Sequence, residues 1–321
     1  MNFWINIIKN DNSASRFFHY AIKNVKRSKM TFDHYANLYL KFKQKELKVS
    51  TFEKYKSIIE LRLLPIFKDL PINSIKTSDI KSWLFDIDDV GGKSKRIYIS
   101  VVKGIFDEAL YDELIEKNPV SRIRPPEMEK PLIHPFTPQQ VRDIIQSAEM
   151  SNYRNYLNIA FFTGMRSGEI IGLKKEDIDL KNRILKVRRT RSRFGESEPK
   201  TRGSKRDIPI LDSLYPLIEE LYNSHDHDYL FKTQYNEPYR DTNVFVDRYW
   251  KPSLEELKIE YRRPYNTRHT YATNMLYRNL VTPVELAQLL GHSSTEMVFN
   301  IYVAYLDQNY KTFDRSISIY N

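Results

Sequence analysis

The sequence predicts a mainly α-helical protein of two domains, with a small β-hairpin or sheet in the second. Apolar residues recur at helical spacing over most of the chain, a proline-rich stretch interrupts them, and two short strand-like runs flank a charged loop. A chain of 321 residues is long enough for two domains of ordinary size. Its 41% hydrophobic and 29% charged residues are typical of a globular protein, which excludes wholesale disorder.

The first predicted domain, residues 29–118, is a small helical bundle. Apolar residues recur three or four positions apart from Phe32 to Phe42, which indicates its first helix. Ser50 and Glu53 have the spacing of a capping box, so a second helix is expected to begin there. Two further helices are expected over 78–87 and about 94–117. Residues 1–28, which precede this domain, are not assigned a fold.

Proline marks the boundary between the predicted domains. Six of the 15 prolines lie between Pro119 and Pro138. Closely spaced prolines prevent a continuous helix and favour extended chain, so residues 119–136 are expected to form a linker. Its basic side chains would suit a strap lying on DNA, and solvated linker charges are an equal alternative.

The second predicted domain, residues 137–306, begins with a helix whose first turn is capped by Thr137 and Gln140. Two strands are expected over Ile184–Arg191 and Lys205–Ile210, on either side of a basic loop. Further helices are expected over 212–222, 241–250, 265–278, 283–290 and 294–304.

The charge balance favours a polyanionic partner. Fifty-one Lys and Arg residues against 41 Asp and Glu residues give a formal charge of +10 and a pI near 9.3. Lys and Arg gain affinity for nucleic acid because they displace counterions from phosphates. Charge alone leaves nucleic-acid binding and a merely basic globular protein equally open.

Several classes of site and location are not expected. The absence of cysteine excludes disulfides, a thiol nucleophile and cysteine-ligated zinc. The pair His225 and His227 has no third ligand near it in sequence, so no metal site is predicted. No apolar run approaches the roughly 18 residues that span a bilayer, so no membrane partner is expected. The first residues lack a basic region and a cleavage site, which favours a cytoplasmic protein over a secreted one.

Four motifs in the second half carry side chains suited to phosphate chemistry. Arg166 follows a glycine turn in the word TGMRSGE, where the N-terminus of a helix favours an anion. The others are Lys200 in a basic hairpin, Arg268 in the word RHTYAT, and His292 in the word LLGHSS, which Tyr302 follows ten residues later. Each residue alone has a simpler interpretation as a surface or structural side chain. The ordered combination is what favours chemistry.

This ordered set resembles the tyrosine recombinase family, which includes the phage integrases. The resemblance covers about Thr137 to Leu306 and is carried by the order, the spacing and the flanking words. It implies a helical core DNA-binding domain of the SAM-like type, followed by a tyrosine-recombinase catalytic domain. The residues that match the catalytic positions of the family are Arg166, Lys200, Arg268, His292 and Tyr302.

Tyr265 departs from the family pattern. The family commonly has a histidine three residues before the second arginine, so the general-base role does not transfer to this position. A phenol is a poor base at neutral pH, and Tyr265 is therefore expected to position the phosphate. Glu169 and His269 are expected to support the site, His269 from the helical position after Arg268.

The resemblance implies an enzyme that cleaves and rejoins duplex DNA through a 3′-phosphotyrosine, for DNA integration or excision. Bond energy is kept in the covalent link, so no cofactor is expected. The implied partners are double-stranded DNA and a homotetramer on paired recombination sites, to which accessory DNA-bending proteins could add. Two alternatives stay open: a topoisomerase IB-like nicking-closing enzyme, which needs no tetramer, and a DNA-binding regulator that has lost catalysis.

The tail, residues 307–321, carries too many apolar side chains for a freely solvated end. It is expected to dock on its own catalytic domain or on a neighbouring protomer. The family resemblance favours the neighbouring protomer.

Overall fold

The computed structural model describes residues 30–127, 133–199 and 202–303. The chain divides into two compact units, Met1–Lys130 and Pro131–Asn321. Helices dominate both, and the strands form two small antiparallel sheets, which confirms the predicted fold class. None of the described helices is long and apolar enough to cross a membrane. The predictions for residues 1–28, for Lys200 and for the tail 307–321 lie outside the described residues.

The first unit is a helical bundle around one apolar core. Its helices are α1 (Phe32–Glu46), α2 (Val49–Ile58), α3 (Leu64–Phe67), α4 (Thr77–Asp86) and α5 (Gly92–Tyr111), with a π-helical turn at Ile59–Leu63 and 3-10 turns at Ile72–Ser74 and Pro119–Arg122. The Thr31 hydroxyl caps α1 by accepting the N–H of His34. Fully buried side chains of α5, such as Ile105 and Phe106, pack in the core with Phe32 of α1. The apolar face of α5 that carries these side chains holds the bundle together.

The second helix begins one residue before the predicted capping box. Lys48 is the N-cap of α2, and its side chain makes no capping hydrogen bond, so the prediction at Ser50 and Glu53 is wrong. The reason is the short connection from α1. Only Leu47 and Lys48 separate the two helices, which places Ser50 already inside the first turn.

Both ends of the predicted linker are packed into cores. Val120 is 2% exposed and packs in the core of the first unit. Its backbone N–H donates to the side-chain oxygen of Asn118. Phe136 is 2% exposed in the core of the second unit, where its ring meets Trp250 edge-on with centroids 5.7 Å apart. The proline pattern predicted extended chain over residues 119–136. Burial of Val120 and Phe136 anchors the two ends of this segment, each in the core of its own unit.

The second unit surrounds a larger core with helices and carries both sheets. Its helices are α6 (Pro138–Gln146), α7 (Ser151–Thr163), α8 (Ser167–Ile170), α9 (Tyr215–Asn223), α10 (Asn243–Phe245), α11 (Lys251–Glu256), α12 (Asn266–Tyr277), α13 (Pro283–Leu290) and α14 (Glu296–Val298). It also has π-helical turns at Val246–Trp250 and Phe299–Val303 and 3-10 turns at Lys175–Asp177 and Arg202–Ser204. Thr137 and Gln140 form the predicted capping box, in which each side chain bonds the other's backbone N–H.

The strands form a three-stranded antiparallel sheet and a separate hairpin. They are β1 (Ile178–Asp179), β2 (Ile184–Val187), β3 (Thr190–Ser192), β4 (Gly195–Ser197) and β5 (Arg206–Pro209), ordered β1-β2-β5 in the sheet and β3-β4 in the hairpin. The strand predicted over Ile184–Arg191 therefore breaks after Val187. At the break, Arg188 pairs with Asp207 of β5, while the next residue, Arg189, pairs with Asp177, which directly precedes β1.

The glycine at position 104 lets α5 approach α1 closely. A Cβ at Gly104 would lie 2.4 Å from a ring carbon of Tyr39, a side chain that is 4% exposed. A buried ring in a packed core cannot move aside without cost.

We therefore expect Gly104→Val to lower the unfolding free energy of the first unit by about 2 kcal/mol. Ser100→Val, on the exposed face of the same helix, should change it by less than about 0.5 kcal/mol. Urea unfolding of the full chain, with hydrogen exchange assigning the transition to this unit, measures both. Equal stability of the two variants would contradict close packing at Gly104.

Candidate active site

Arg166 stands at the start of helix α8, just after a left-handed turn. Gly164 ends α7 with a φ of 62°, and a Cβ there would lie 2.5 Å from the ring of Tyr271, so the position requires glycine. The Arg166 N–H donates to Glu169 Oε2 at 2.9 Å, and its guanidinium donates to Oε1 at 2.7 Å. About a third of the Arg166 side chain remains exposed, at 35%. This arginine is oriented by a carboxylate and still accessible to an anion.

Glu169 is a buried carboxylate shared by two arginines. It is 2% exposed, and Arg206 of β5 donates to both of its oxygens, at 3.2 and 2.9 Å. Burial alone would raise the pKa of Glu169, but the hydrogen bonds and charge of Arg206, followed by those of Arg166, hold it below its usual value. The carboxylate therefore stays charged and fixes both guanidinium groups.

Arg206 was not among the residues predicted for the site. Besides pairing with Glu169, it donates from Nε to the carbonyl of Leu289 at 2.5 Å and from Nη1 to that of Ser204 at 3.1 Å. It therefore links β5 and the end of α13 to the carboxylate beside Arg166. The sequence did contain a signal, because Arg206 shares the inward face of its strand with Ile208. A charged residue on an inward face calls for a buried partner.

Arg268 lies on α12 and is almost completely buried, at 1% exposed. Its Nη1 donates to the carbonyl of Gly164 at 2.8 Å, and its Nη2 donates to the carbonyl of Leu290 at 2.5 Å. Its Nε is buried without a partner among the described residues. Burial, followed by the charge of Arg166, lowers the pKa of Arg268 to about 10, so the guanidinium is still a cation at neutral pH.

His292 follows the left-handed Gly291 that ends α13 and lies 3.0 Å from Arg268, measured from Nε2 to Nη2. An arginine only donates hydrogen bonds, so Nε2 of His292 accepts and its proton sits on Nδ1. Nδ1 is buried and has no hydrogen-bond partner in the part of the chain that the structure describes. Burial, followed by the charge of Arg268, lowers the pKa of His292 to about 4, which makes the ring a neutral donor at physiological pH.

Tyr302 lies in the π-helical turn Phe299–Val303 and is 1% exposed. Its ring packs in a small core cluster with side chains of α12, α13 and α14, among them Tyr271, Leu286 and Val298. Its hydroxyl lies 2.9 Å from Nδ1 of His269 on α12. Burial raises the pKa of Tyr302 above its usual value, although the charges of Arg268 and Arg166 oppose this. The free protein therefore holds the phenol protonated.

Tyr265 and His269 stand together at the first turn of α12. Tyr265 is the N-cap residue and is 46% exposed, with its ring edge-on to His269 at a centroid distance of 5.0 Å. Burial, followed by the charge of Arg268, lowers the pKa of His269 to about 4. The structure thus brings Arg166, Glu169 and Arg268 together with His292, His269 and Tyr302. Among the described residues, no cluster of three His, Asp or Glu side chains could hold a metal ion.

Two sequence profiles match this chain. The profile of the Phage integrase family covers residues 135–309, and that of the Phage integrase N-terminal SAM-like domain covers residues 31–86. Prophage integrase IntR of Escherichia coli (strain K12) is 25% identical in an alignment 319 positions long, and the alignment covers 86% of this chain and 77% of the relative. A tyrosine recombinase XerC-like protein of Caldanaerobacter subterraneus is 26% identical in an alignment 269 positions long, which covers 73% of this chain and 68% of the relative.

The fold is also similar to that of solved structures. A lambda integrase, solved as a tetramer bound to a Holliday junction, superposes with a TM-score of 0.70 at 22% identity, covering 86% of this chain and 81% of that one. At this identity the likeness speaks for the shared fold. The family profile, by contrast, spans more than half of the chain and includes every residue of the site from Arg166 to Tyr302. This chain therefore belongs to the phage integrase family of tyrosine recombinases.

Proposed function

We propose that this protein is a site-specific tyrosine recombinase that cleaves and rejoins duplex DNA during DNA integration or excision. The observation that supports this most is the chain of contacts through α12. Arg268 bonds the turn that precedes Arg166 and also His292, while the next residue, His269, contacts the hydroxyl of Tyr302. Two cations, a neutral donor and a phenol are thereby held in one site.

The hydrogen-bond donors of Arg166, Arg268 and His292 suit a phosphodiester. Attack on phosphorus builds negative charge on the non-bridging oxygens, which guanidinium groups stabilise through charge-assisted hydrogen bonds. Arg166 offers an exposed guanidinium, while Arg268 and His292 offer buried N–H groups without a partner among the described residues. Tyr265, exposed at the N-cap of α12, is proposed to position the same phosphate through its hydroxyl.

The proposed reaction is a transesterification in two halves. The phenol of Tyr302 gives up its proton to a base as its oxygen forms a bond to phosphorus, the bond from phosphorus to the 5′ oxygen breaks, and the leaving oxygen takes a proton from Lys200. The 3′-phosphotyrosine conserves the bond energy. A 5′-hydroxyl from another strand then reverses the step, so the exchange needs no cofactor.

The proposed partners are double-stranded DNA and three further copies of the chain on paired recombination sites, with accessory DNA-bending proteins where a site requires them. Support comes from the relatives: lambda integrase assembles as a tetramer on a Holliday junction, and IntR is a prophage integrase. We assign core DNA binding to residues 29–118 and catalysis to residues 137–306, joined by the segment 119–136. We place the protein in the cytoplasm with its DNA, and we propose that the tail 307–321 docks on a neighbouring protomer.

Tyr302→Phe tests the nucleophile. The change keeps the buried ring and removes the attacking oxygen, so no covalent adduct should form on a nicked suicide substrate, while non-covalent DNA binding stays unchanged. Denaturing gels and gel-shift titrations measure the two quantities. Tyr305→Phe is the control and should form the adduct normally. A covalent adduct with Tyr302→Phe would overturn the assignment.

Lys200→Ala tests the general acid. Loss of a positioned acid should slow cleavage of ordinary DNA by about 100-fold or more. A substrate with sulfur at the 5′-bridging position needs little protonation of its leaving group, so its cleavage should be nearly restored. Lys205→Ala changes a nearby lysine that pairs with Glu198 and should show neither effect. Equal defects on both substrates would instead indicate a DNA-binding role for Lys200.

Glu169→Gln tests the support of Arg166. Removing one partner from a buried ion pair leaves the Arg206 guanidinium uncompensated and should cost about 3–5 kcal/mol of unfolding free energy. The double variant Glu169→Met with Arg206→Met should recover much of this stability, yet cleave poorly because Arg166 has lost its carboxylate. Asp247→Asn, which breaks an exposed pair with Lys251, should alter neither property. Normal cleavage by the double variant would show that Arg166 needs no such anchor.

A further inference from the structure

The contact between His269 and Tyr302 has no role in the reaction described above. Nδ1 of His269 lies 2.9 Å from the phenolic oxygen, a hydrogen-bond distance, and joins α12 to a turn 33 residues further along the chain. The two rings are tilted by 53° with centroids 5.6 Å apart, so the contact is made through the polar atoms and not by stacking. A base that takes the proton of a nucleophile lies within hydrogen-bond reach of it, directly or through one water, and here the contact is direct.

The protonation states of both groups suit transfer from tyrosine to histidine. Burial and the neighbouring Arg268 lower the pKa of His269 to about 4, so the ring is neutral at physiological pH and one of its nitrogens can accept. Burial keeps the proton on Tyr302, which can therefore donate. The hydrogen bond between them then runs from the phenol to Nδ1, with the ring proton on Nε2.

The other groups that face this pair cannot accept the proton. Arg268 and Arg166 are cations, and the hydroxyl of Tyr265 is itself a phenol. His292 already accepts a hydrogen bond from Arg268 on Nε2, and its Nδ1 carries a proton. Among the described titratable groups that interact with Tyr302, His269 is the one with a ring nitrogen within hydrogen-bond distance of the hydroxyl.

We propose that His269 is the general base for Tyr302, a role for which the sequence alone assigned it only structural support. As the oxygen of Tyr302 bonds to phosphorus, its proton moves to Nδ1, and the 5′ oxygen leaves with a proton from Lys200. In the rejoining half, a 5′-hydroxyl gives its proton to Lys200 as its oxygen bonds to phosphorus, the phosphotyrosine bond breaks, and the imidazolium returns the proton to the phenol. The inference rests on the proposed function, because it takes Tyr302 as the nucleophile.

Charge makes this base dependent on the substrate. The imidazolium that forms lies beside Arg268, whose positive charge already lowers the pKa of His269 in the free protein. A bound phosphate brings negative charge to the same place and offsets that repulsion. A seated phosphate therefore makes proton transfer to His269 less unfavourable than it is in the free protein.

His269→Asn tests the proposal, since an amide can keep a hydrogen bond to the phenol but cannot take up its proton. Single-turnover cleavage of a suicide substrate should slow by about 100-fold, with non-covalent DNA binding unchanged. The second measurement replaces Tyr302 with 2,3,5-trifluorotyrosine, a more acidic phenol that needs less help from a base. With this nucleophile, the rate defect caused by His269→Asn should shrink to about tenfold or less.

His225→Asn is the matched control, because it makes the same change at a half-buried histidine whose ring bonds the carbonyl of Leu230. Its cleavage rate should equal that of the unaltered protein. If His269→Asn folds poorly, His269→Gln is measured in the same way, with thermal unfolding reporting on both. An unchanged rate, or an equal defect with tyrosine and trifluorotyrosine, would overturn the proposal and leave His269 as packing. A covalent adduct formed by Tyr302→Phe would instead overturn the proposed function.

Discussion

The concentration of positive charge around one buried carboxylate is the constraint on which the site depends. Arg166 and Arg206 both pair with Glu169, whereas Arg268 is buried against carbonyl oxygens and a neutral histidine. Buried cations in excess of their counter-charges are costly, and here the excess is tolerated because rigid backbone partners surround it. A site in this state gains most from an anion that enters it, which is the electrostatic basis for phosphate recognition.

The ends of the two helices α7 and α13 hold Arg268 of α12 in place. Gly164 and Gly291 both end their helices in the left-handed conformation, and the carbonyl of Gly164 and that of Leu290, which precedes Gly291, accept from Arg268. Carbonyl groups at the ends of two helices, which have no partner within their own helix, thus accept the hydrogen bonds of one arginine. A change in either turn would move Arg268 together with the residue that follows the turn, Arg166 or His292.

Much of this arrangement could be predicted from the sequence, and its limits have physical causes. The order of the motifs predicted that Arg166, Arg268 and His292 share one site. Each of them lies in a short motif whose turn or helix is encoded locally. The contacts of Arg206 and the approach of His269 to Tyr302 were not predicted, since they depend on packing between elements distant in sequence. The capping box at Ser50 failed for a related reason, because the short connection from α1 outweighed local spacing.

The distribution of donors and acceptors separates binding from proton transfer. Arg166, the Nε of Arg268 and the Nδ1 of His292 are all donors, which match the acceptor oxygens of a phosphate. Nδ1 of His269, which we propose to be an acceptor, lies 2.9 Å from the hydroxyl of Tyr302. Hydrogen bonding between Arg268 and His292 sets one tautomer, and burial beside Arg268 keeps His269 neutral. The same buried arginine therefore fixes the tautomer of His292 and keeps His269, the next residue in its own helix, neutral beside the hydroxyl of Tyr302.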